Sequence, residues 1–240
     1  MADAMSEPAR RAGRAAGLAG PRTLLRAGPA EQPAARTAAR LESLRRAAEC
    51  ALLGIVWFAC SLPVITAGAG WAAVAEVCDA WLRGEEPPLL RSFARTVRRE
   101  LAHGLVLDLV ALLLAALPYL EVRIALAERL PGGPVDSGAL CLLAAAALTV
   151  FLLAFPVRAA TRAPWPEAFR QSAGLCRNCP WAAVLAAAAV GTGVILVLAF
   201  PPLIVLIAGP VGYALTVVHA RAAAARREGA KSEEDEAARL

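Results

Sequence analysis

The sequence predicts an all-α protein, a polytopic bundle of transmembrane helices, and three observations carry that prediction. Charged residues make up 19% of the chain and apolar residues 58%, where a soluble domain is nearer a quarter charged and half apolar. Charge is also missing from whole stretches: residues 50–75 and 137–157 have none, and residues 178–220 offer only His219. A bilayer core takes about 20 apolar residues per helix, so the last stretch is long enough for two. Finally, Lys and Arg are confined to a few polar segments. Together these exclude an ordinary soluble globule, a disulfide-stapled secreted domain and a DNA-binding module. The net charge of +5 is therefore no sign of a nucleic-acid partner; the expected surroundings are a lipid bilayer.

Residues 1–46 hold nine Arg, four acidic residues and four Pro, with large apolar residues only scattered among them. Such a stretch buries too little surface to offset the cost of ordering, and a disordered cytoplasmic tail is expected. Residues 36–48 fit a short helix leading into the membrane. Residues 47–220 form the expected transmembrane domain, and residues 221–240 a charged cytoplasmic tail.

Six apolar segments are drawn at about 50–66, 67–82, 103–120, 138–157, 181–200 and 203–219. Pro63, Gly68 and Gly70 break the first charge-free run, since Pro removes a donor and Gly weakens a helix. Pro201-Pro202 splits the last run at a tight turn, and Pro131 to Pro134 marks an open loop. The second segment is short, about 24 Å as a helix against a core of about 30 Å, and it carries Glu76 and Asp79. It reads as a short span, a re-entrant piece or an interfacial helix.

Orientation follows from the cations. With both tails and residues 83–102 and 158–180 in the cytoplasm, that side holds 23 of the 25 Lys and Arg, leaving only Arg123 and Arg129 outside. The positive-inside rule selects this arrangement, with both termini inside and an even number of spans. Six in three hairpins is the reading adopted; four with a re-entrant pair is the alternative. Two cytoplasmic segments have amphipathic spacing. Leu90, Phe93, Ala94, Val97 and Leu101 share one helical face, with Arg91, Arg95, Arg98 and Arg99 elsewhere, as in a helix lying on the membrane surface. Trp165, Phe169 and Cys176 do the same among Arg162, Arg170 and Arg177. A recurring unit of interfacial helix plus hairpin is suggested.

Chemistry-bearing residues are few. Cys176 and Cys179 form a CxxC, yet a structural zinc site needs four ligands and no second pair lies nearby. No HExxH, GxSxG or phosphate-binding glycine loop is present, so no enzyme activity, cofactor or metal is expected. Ionisable residues inside membrane segments are functional candidates by default. Glu76, Asp79 and Asp108 qualify, with His103 and His219 near segment ends, all five expected toward the cytoplasmic side. Either they pair at the interface with Arg83, Arg98 or Arg99, or the three carboxylates line one polar cytoplasmic vestibule.

The run Trp57-Phe58-Ala59-Cys60-Ser61-Leu62-Pro63-Val64-Ile65-Thr66-Ala67-Gly68 resembles the W-x-x-C-S-L-P-V-x-T-x-G stretch of YesL-like bacterial integral membrane proteins, domain of unknown function family 624. The resemblance continues through Ala72-Ala73, the Arg83-Gly84-Glu85 turn and the helix from Phe93 to Arg99. It is clearest over residues 47–120. Gly54 departs from the pattern, where Asn is common three residues before the Trp, as does Ser92, where Asp is common before the Phe. The resemblance implies a helical membrane protein of uncharacterised function and, by association with carbohydrate-uptake genes, an accessory role near a sugar transporter. The expectation is a multi-pass protein of the bacterial inner membrane, non-catalytic and partnered by a transporter or another membrane complex. The alternative is a small-solute carrier. The candidate functional motif of the protein is Ser61, Leu62, Pro63, Thr66, Glu76, Asp79, Phe93 and Asp108. A homo-oligomer is compatible with small-residue runs such as Ala186–Ala189 and Gly191-Thr192-Gly193.

Overall fold

A computed structural model describes residues 32–62, 65–128 and 133–237. Among the described residues there are seven α-helices: α1 (Gln32–Ser61), α2 (Ala67–Leu82), α3 (Leu89–Glu128), α4 (Gly133–Thr161), α5 (Trp165–Asn178), α6 (Pro180–Ala199) and α7 (Ile204–Ala237), with a 3-10 turn at Pro201–Leu203 before the last. The all-α expectation holds. Four of these segments are long and apolar enough to cross a membrane: Leu89–Glu121, Gly138–Thr161, Pro180–Ala199 and Pro201–Gly229.

Several expected boundaries move. The lead-in helix at 36–48 is continuous with the first apolar segment in α1, whose amino-terminal half carries the i, i+4 pairs Glu42–Arg46 and Arg45–Glu49. Residues 1–31 and Pro63-Val64 lie outside the described residues. The surface helix expected near residue 93 is not separate either. It is the first turns of α3, one helix of 40 residues, about 60 Å long. The change from basic to apolar composition suggested a boundary, but residues 89–117 contain no Pro to impose one. The corresponding stretch before α6 does break, because Pro180 starts a new helix at its first position. The recurring unit therefore differs between its two copies.

The short second segment is the centre of the bundle. Gly68, Ala69, Ala73, Val74, Ala75, Val77 and Cys78 of α2 are all buried. α2 packs chiefly on α3 and also touches α1, α4 and α7, while α1 packs chiefly on α7. Small residues set these distances. A Cβ on Gly54 would stand 2.5 Å from the Leu206 carbonyl oxygen, and one on Gly209 would overlap the Cys50 carbonyl. Where α2 meets α3, a Cβ on Gly104 would lie 2.7 Å from Ala69. Without Cβ atoms the backbones approach and recover van der Waals contact, the attraction that remains between helices when lipid is as apolar as they are.

α5 docks on α4 through aromatic rings. Phe155 meets Trp165 edge-on at 5.1 Å, and Phe151 stacks on Phe169 at 5.8 Å. By contrast, α3 and α6 are mostly uncovered: Leu105, Leu109, Leu112 and Leu113 on α3, and Val184, Ile195 and Leu198 on α6, are exposed. In a bilayer these faces meet acyl chains.

Candidate functional site

Helix α2 organises the polar residues, because one group gathers at each of its ends. At its carboxyl end, Glu76 accepts hydrogen bonds from the Thr96 hydroxyl and from Arg99 Nη2, both at 2.8 Å. One turn on, the buried Asp79 pairs with Arg83. The expected pairing with arginine is thus found for Glu76 and Asp79, with Arg99 and Arg83 as the partners and Arg98 exposed. Beside them lies Glu100, only 2% exposed. Its carboxylate accepts from Arg158 Nη2 at 2.7 Å, Arg99 Nε at 3.1 Å and Trp165 Nε1 at 3.2 Å. Arg158 also lies 4.7 Å above the Trp165 ring and donates to the Ala163 carbonyl. Glu100 therefore joins α3, α4 and α5, and each of its strong contacts is charge-assisted or buried.

Sequence reasoning passed over Glu100, Arg158 and Trp165 as a group. A trace of the signal was there. The buried side of α3 runs Phe93, Thr96, Glu100, Gly104, Leu107, a three- or four-residue spacing that places one carboxylate in an otherwise apolar or small row. The face expected from Leu90 and Leu101 points outward instead, for they are 67% and 47% exposed. Phe93, at 1% exposure, packs against Val74 and Val77 of α2.

At the amino end of α2 the remaining candidates converge. A helix starting among other helices must find acceptors for its first N–H groups without water. Thr66 stands at the N-cap position but makes no side-chain cap bond to α2; its hydroxyl donates to the Cys60 carbonyl of α1. The cap comes from a different helix: Asp108 Oδ1 of α3 accepts the Gly68 N–H at 2.6 Å. Trp57 Nε1 donates to the Ala67 carbonyl at 3.2 Å and meets Trp71 edge-on. Ser61 Oγ and Asp108 Oδ2 are buried here without hydrogen-bond partners. Leu62 is exposed, and Pro63 lies outside the described residues.

Two expectations are corrected by this geometry. Asp108 is not one wall of a vestibule shared with Glu76 and Asp79. It lies beside Gly68, eight residues from Glu76 along α2, or about 12 Å by helical rise. Nor does it pair with an arginine; its bonded partner is a backbone amide. Next to it opens a cavity of about 370 Å³ between α1, α2, α3, α4, α6 and α7, lined by hydrocarbon and by Trp57, Trp71 and Asp108.

The cysteines are all free thiols. Cys176 and Cys179 straddle the α5–α6 junction, and burial pushes the Cys176 thiol up, which keeps it protonated and a poor nucleophile. Among the described residues no group of three or more His, Cys, Asp and Glu is placed to hold a metal ion.

Residues 50–122 match the family described as "Protein of unknown function, DUF624". The matched stretch covers about 30% of the chain. It contains the α1–α2 break, all of α2 and most of α3, so the Asp108 cap and the Glu76–Thr96–Arg99 group are internal to it. Arg158 and Trp165, which complete the Glu100 cluster, come from beyond the matched stretch. The YesL-like resemblance read from Trp57 to Gly68 falls wholly within the matched stretch. The departure at Gly54 has a local cause: an Asn there would collide with the α7 backbone at Leu206. No curated protein and no solved structure matches the chain significantly.

Proposed function

We propose that the protein is a non-catalytic accessory subunit of a membrane complex, tied to carbohydrate uptake, and that it works in the bacterial inner membrane with both termini in the cytoplasm. In this reading α1 and α2 add a short first hairpin to the four longer spans, giving six segments. The observation that carries it is how the charged groups of the bundle are used. Glu76, Asp79, Glu100, Arg99 and Arg158 bond to one another or to close neighbours, which fits a rigid scaffold better than a site poised for acid–base work. Arg91, Arg95 and Arg98 meanwhile stand exposed along the outer side of α3. A basic row beside an uncovered apolar helix suits a membrane partner with an acidic cytoplasmic surface.

Crosslinking in native membranes followed by purification tests this. A transporter or other membrane complex should be recovered with the chain, and its yield should fall severalfold when Arg91, Arg95 and Arg98 are changed to Glu. Recovery of the chain alone, with and without the changes, would overturn the proposal. The small-solute carrier alternative draws support only from Asp108. A cavity lined by hydrocarbon offers a sugar almost no hydrogen-bond partners, so sugar passage through it is disfavoured. Flux into liposomes containing the purified protein, lost on Asp108→Asn, would favour the carrier.

A further inference from the structure

The cavity beside Asp108 has no part in the scaffold reading. At about 370 Å³ it lies in the range of small-molecule sites, which are concave, mostly apolar and equipped with a few placed polar groups. A dry apolar cavity of about 150 Å³ already binds benzene-sized guests. Its walls include the indoles of Trp57 and Trp71 and the side chains of Leu152, Phe155, Val190 and Val211. On the α6 side it is bordered by Val194 and Leu198, which are 49% and 76% exposed and belong to a membrane-spanning segment. The phase at that border is therefore lipid, and an entering molecule comes from the bilayer.

One carboxylate lines this space, beside the two indoles. Asp108 Oδ1 is occupied by the Gly68 amide, while Oδ2 is buried with no partner. An unmatched buried acceptor is costly and is relieved by a single donor. That selects the head of the ligand. A hydroxyl has one proton to give and one acceptor here to receive it. An ammonium has three, and two would be left unmet among hydrocarbon. A headgroup bearing phosphate would set negative charge against the carboxylate. We propose that the cavity binds the hydrocarbon chain of a bilayer amphiphile whose hydroxyl head donates a hydrogen bond to Asp108. This goes beyond the accessory role and does not depend on it: an accessory subunit and a carrier could each hold such a molecule.

The test uses the full chain in lipid nanodiscs and two photoreactive probes, a long-chain alcohol carrying a diazirine on its chain and the methyl ether of the same alcohol. Labelled peptides are quantified by mass spectrometry, with labelling of the exposed face of α3 as the measure of probe in the bilayer. The alcohol is expected to label the α4 and α6 walls about tenfold more than the ether, the weight of one hydrogen bond. Asp108→Asn keeps a carbonyl oxygen for the Gly68 amide but turns a donor where Oδ2 stood, so the preference for the alcohol should vanish while helix content is retained. Ala111→Phe should reduce labelling of the walls by both probes. Equal labelling by alcohol and ether in the unmodified protein, or labelling spread evenly over the lipid-facing sides of α3 and α6, would overturn the proposal. So would an alcohol preference that survives Asp108→Asn.

Discussion

At the scale of single residues, Glu100 shows how unequal two carboxylates of one chain can be. Removing its side chain strands the Arg158 guanidinium between the Trp165 ring and a missing anion, with Arg158 only 22% exposed. Breaking a buried pair from one side costs about 3 kcal/mol or more, because the surviving charge stays unpaired. Glu100→Ala should therefore lower the stability of the purified protein by about that amount in denaturant titrations followed by circular dichroism. Arg45→Ala, at an exposed pair on α1, should leave the same midpoint unchanged. Local sequence offered little warning of the cluster, since the main partner of Glu100 lies 58 residues away. The Asp108 contact was harder still to read. Its donor is a backbone amide 40 residues distant, and a backbone amide has no signature in the identity of the residue that bears it. Ion-pair partners for Glu76 and Asp79 were legible because cationic residues near segment ends are few.

At the scale of elements, helix ends followed the breakers that sequence reading relies on. Pro180 and Pro201 sit where helices begin or turn, and the α1–α2 break falls at the Ser61–Thr66 motif. What composition could not say is which helix is covered by which. α6 is more apolar than α2, yet α2 is the helix surrounded on most sides. Its burial comes from the glycines and alanines of its partners as much as from its own residues. The same use of small residues at the α1–α7 crossing is testable with two glycines. Gly209→Ala places a methyl group into the Cys50 carbonyl, and overpacking of that kind costs about 1–3 kcal/mol. It should lower the thermal midpoint of unfolding in detergent. Gly174→Ala, in α5 with nothing within 4 Å of the added atom, should leave the midpoint unchanged or raise it, because alanine favours a helix interior by up to about 1 kcal/mol. Equal effects at the two positions would mean that the α1–α7 crossing is not set by backbone contact.

For the whole molecule, composition and charge segregation were enough to read a helical membrane protein, and four segments meet the length and hydropathy of a span. Sidedness is the next quantity to measure. In a background without native cysteines, a cysteine at Asp136 should react with an impermeant maleimide from outside intact cells. Cysteines at Arg91 and Arg170 should react only after permeabilisation. Ser172 is unsuitable for this purpose, since it is fully buried against the Val150 carbonyl. The reverse labelling pattern would invert the orientation proposed from the positive residues. The pairing of α1 with α7 has a consequence for biogenesis. Of the described helices, the first to leave the ribosome finds its main neighbour only when the last has been made. Until then the face of α1 around Cys50 and Gly54 has no α7 to cover it, so α1 waits for that partner while α2 to α6 are made. A product that stops after α6 would leave that face permanently exposed and become a substrate for membrane proteases.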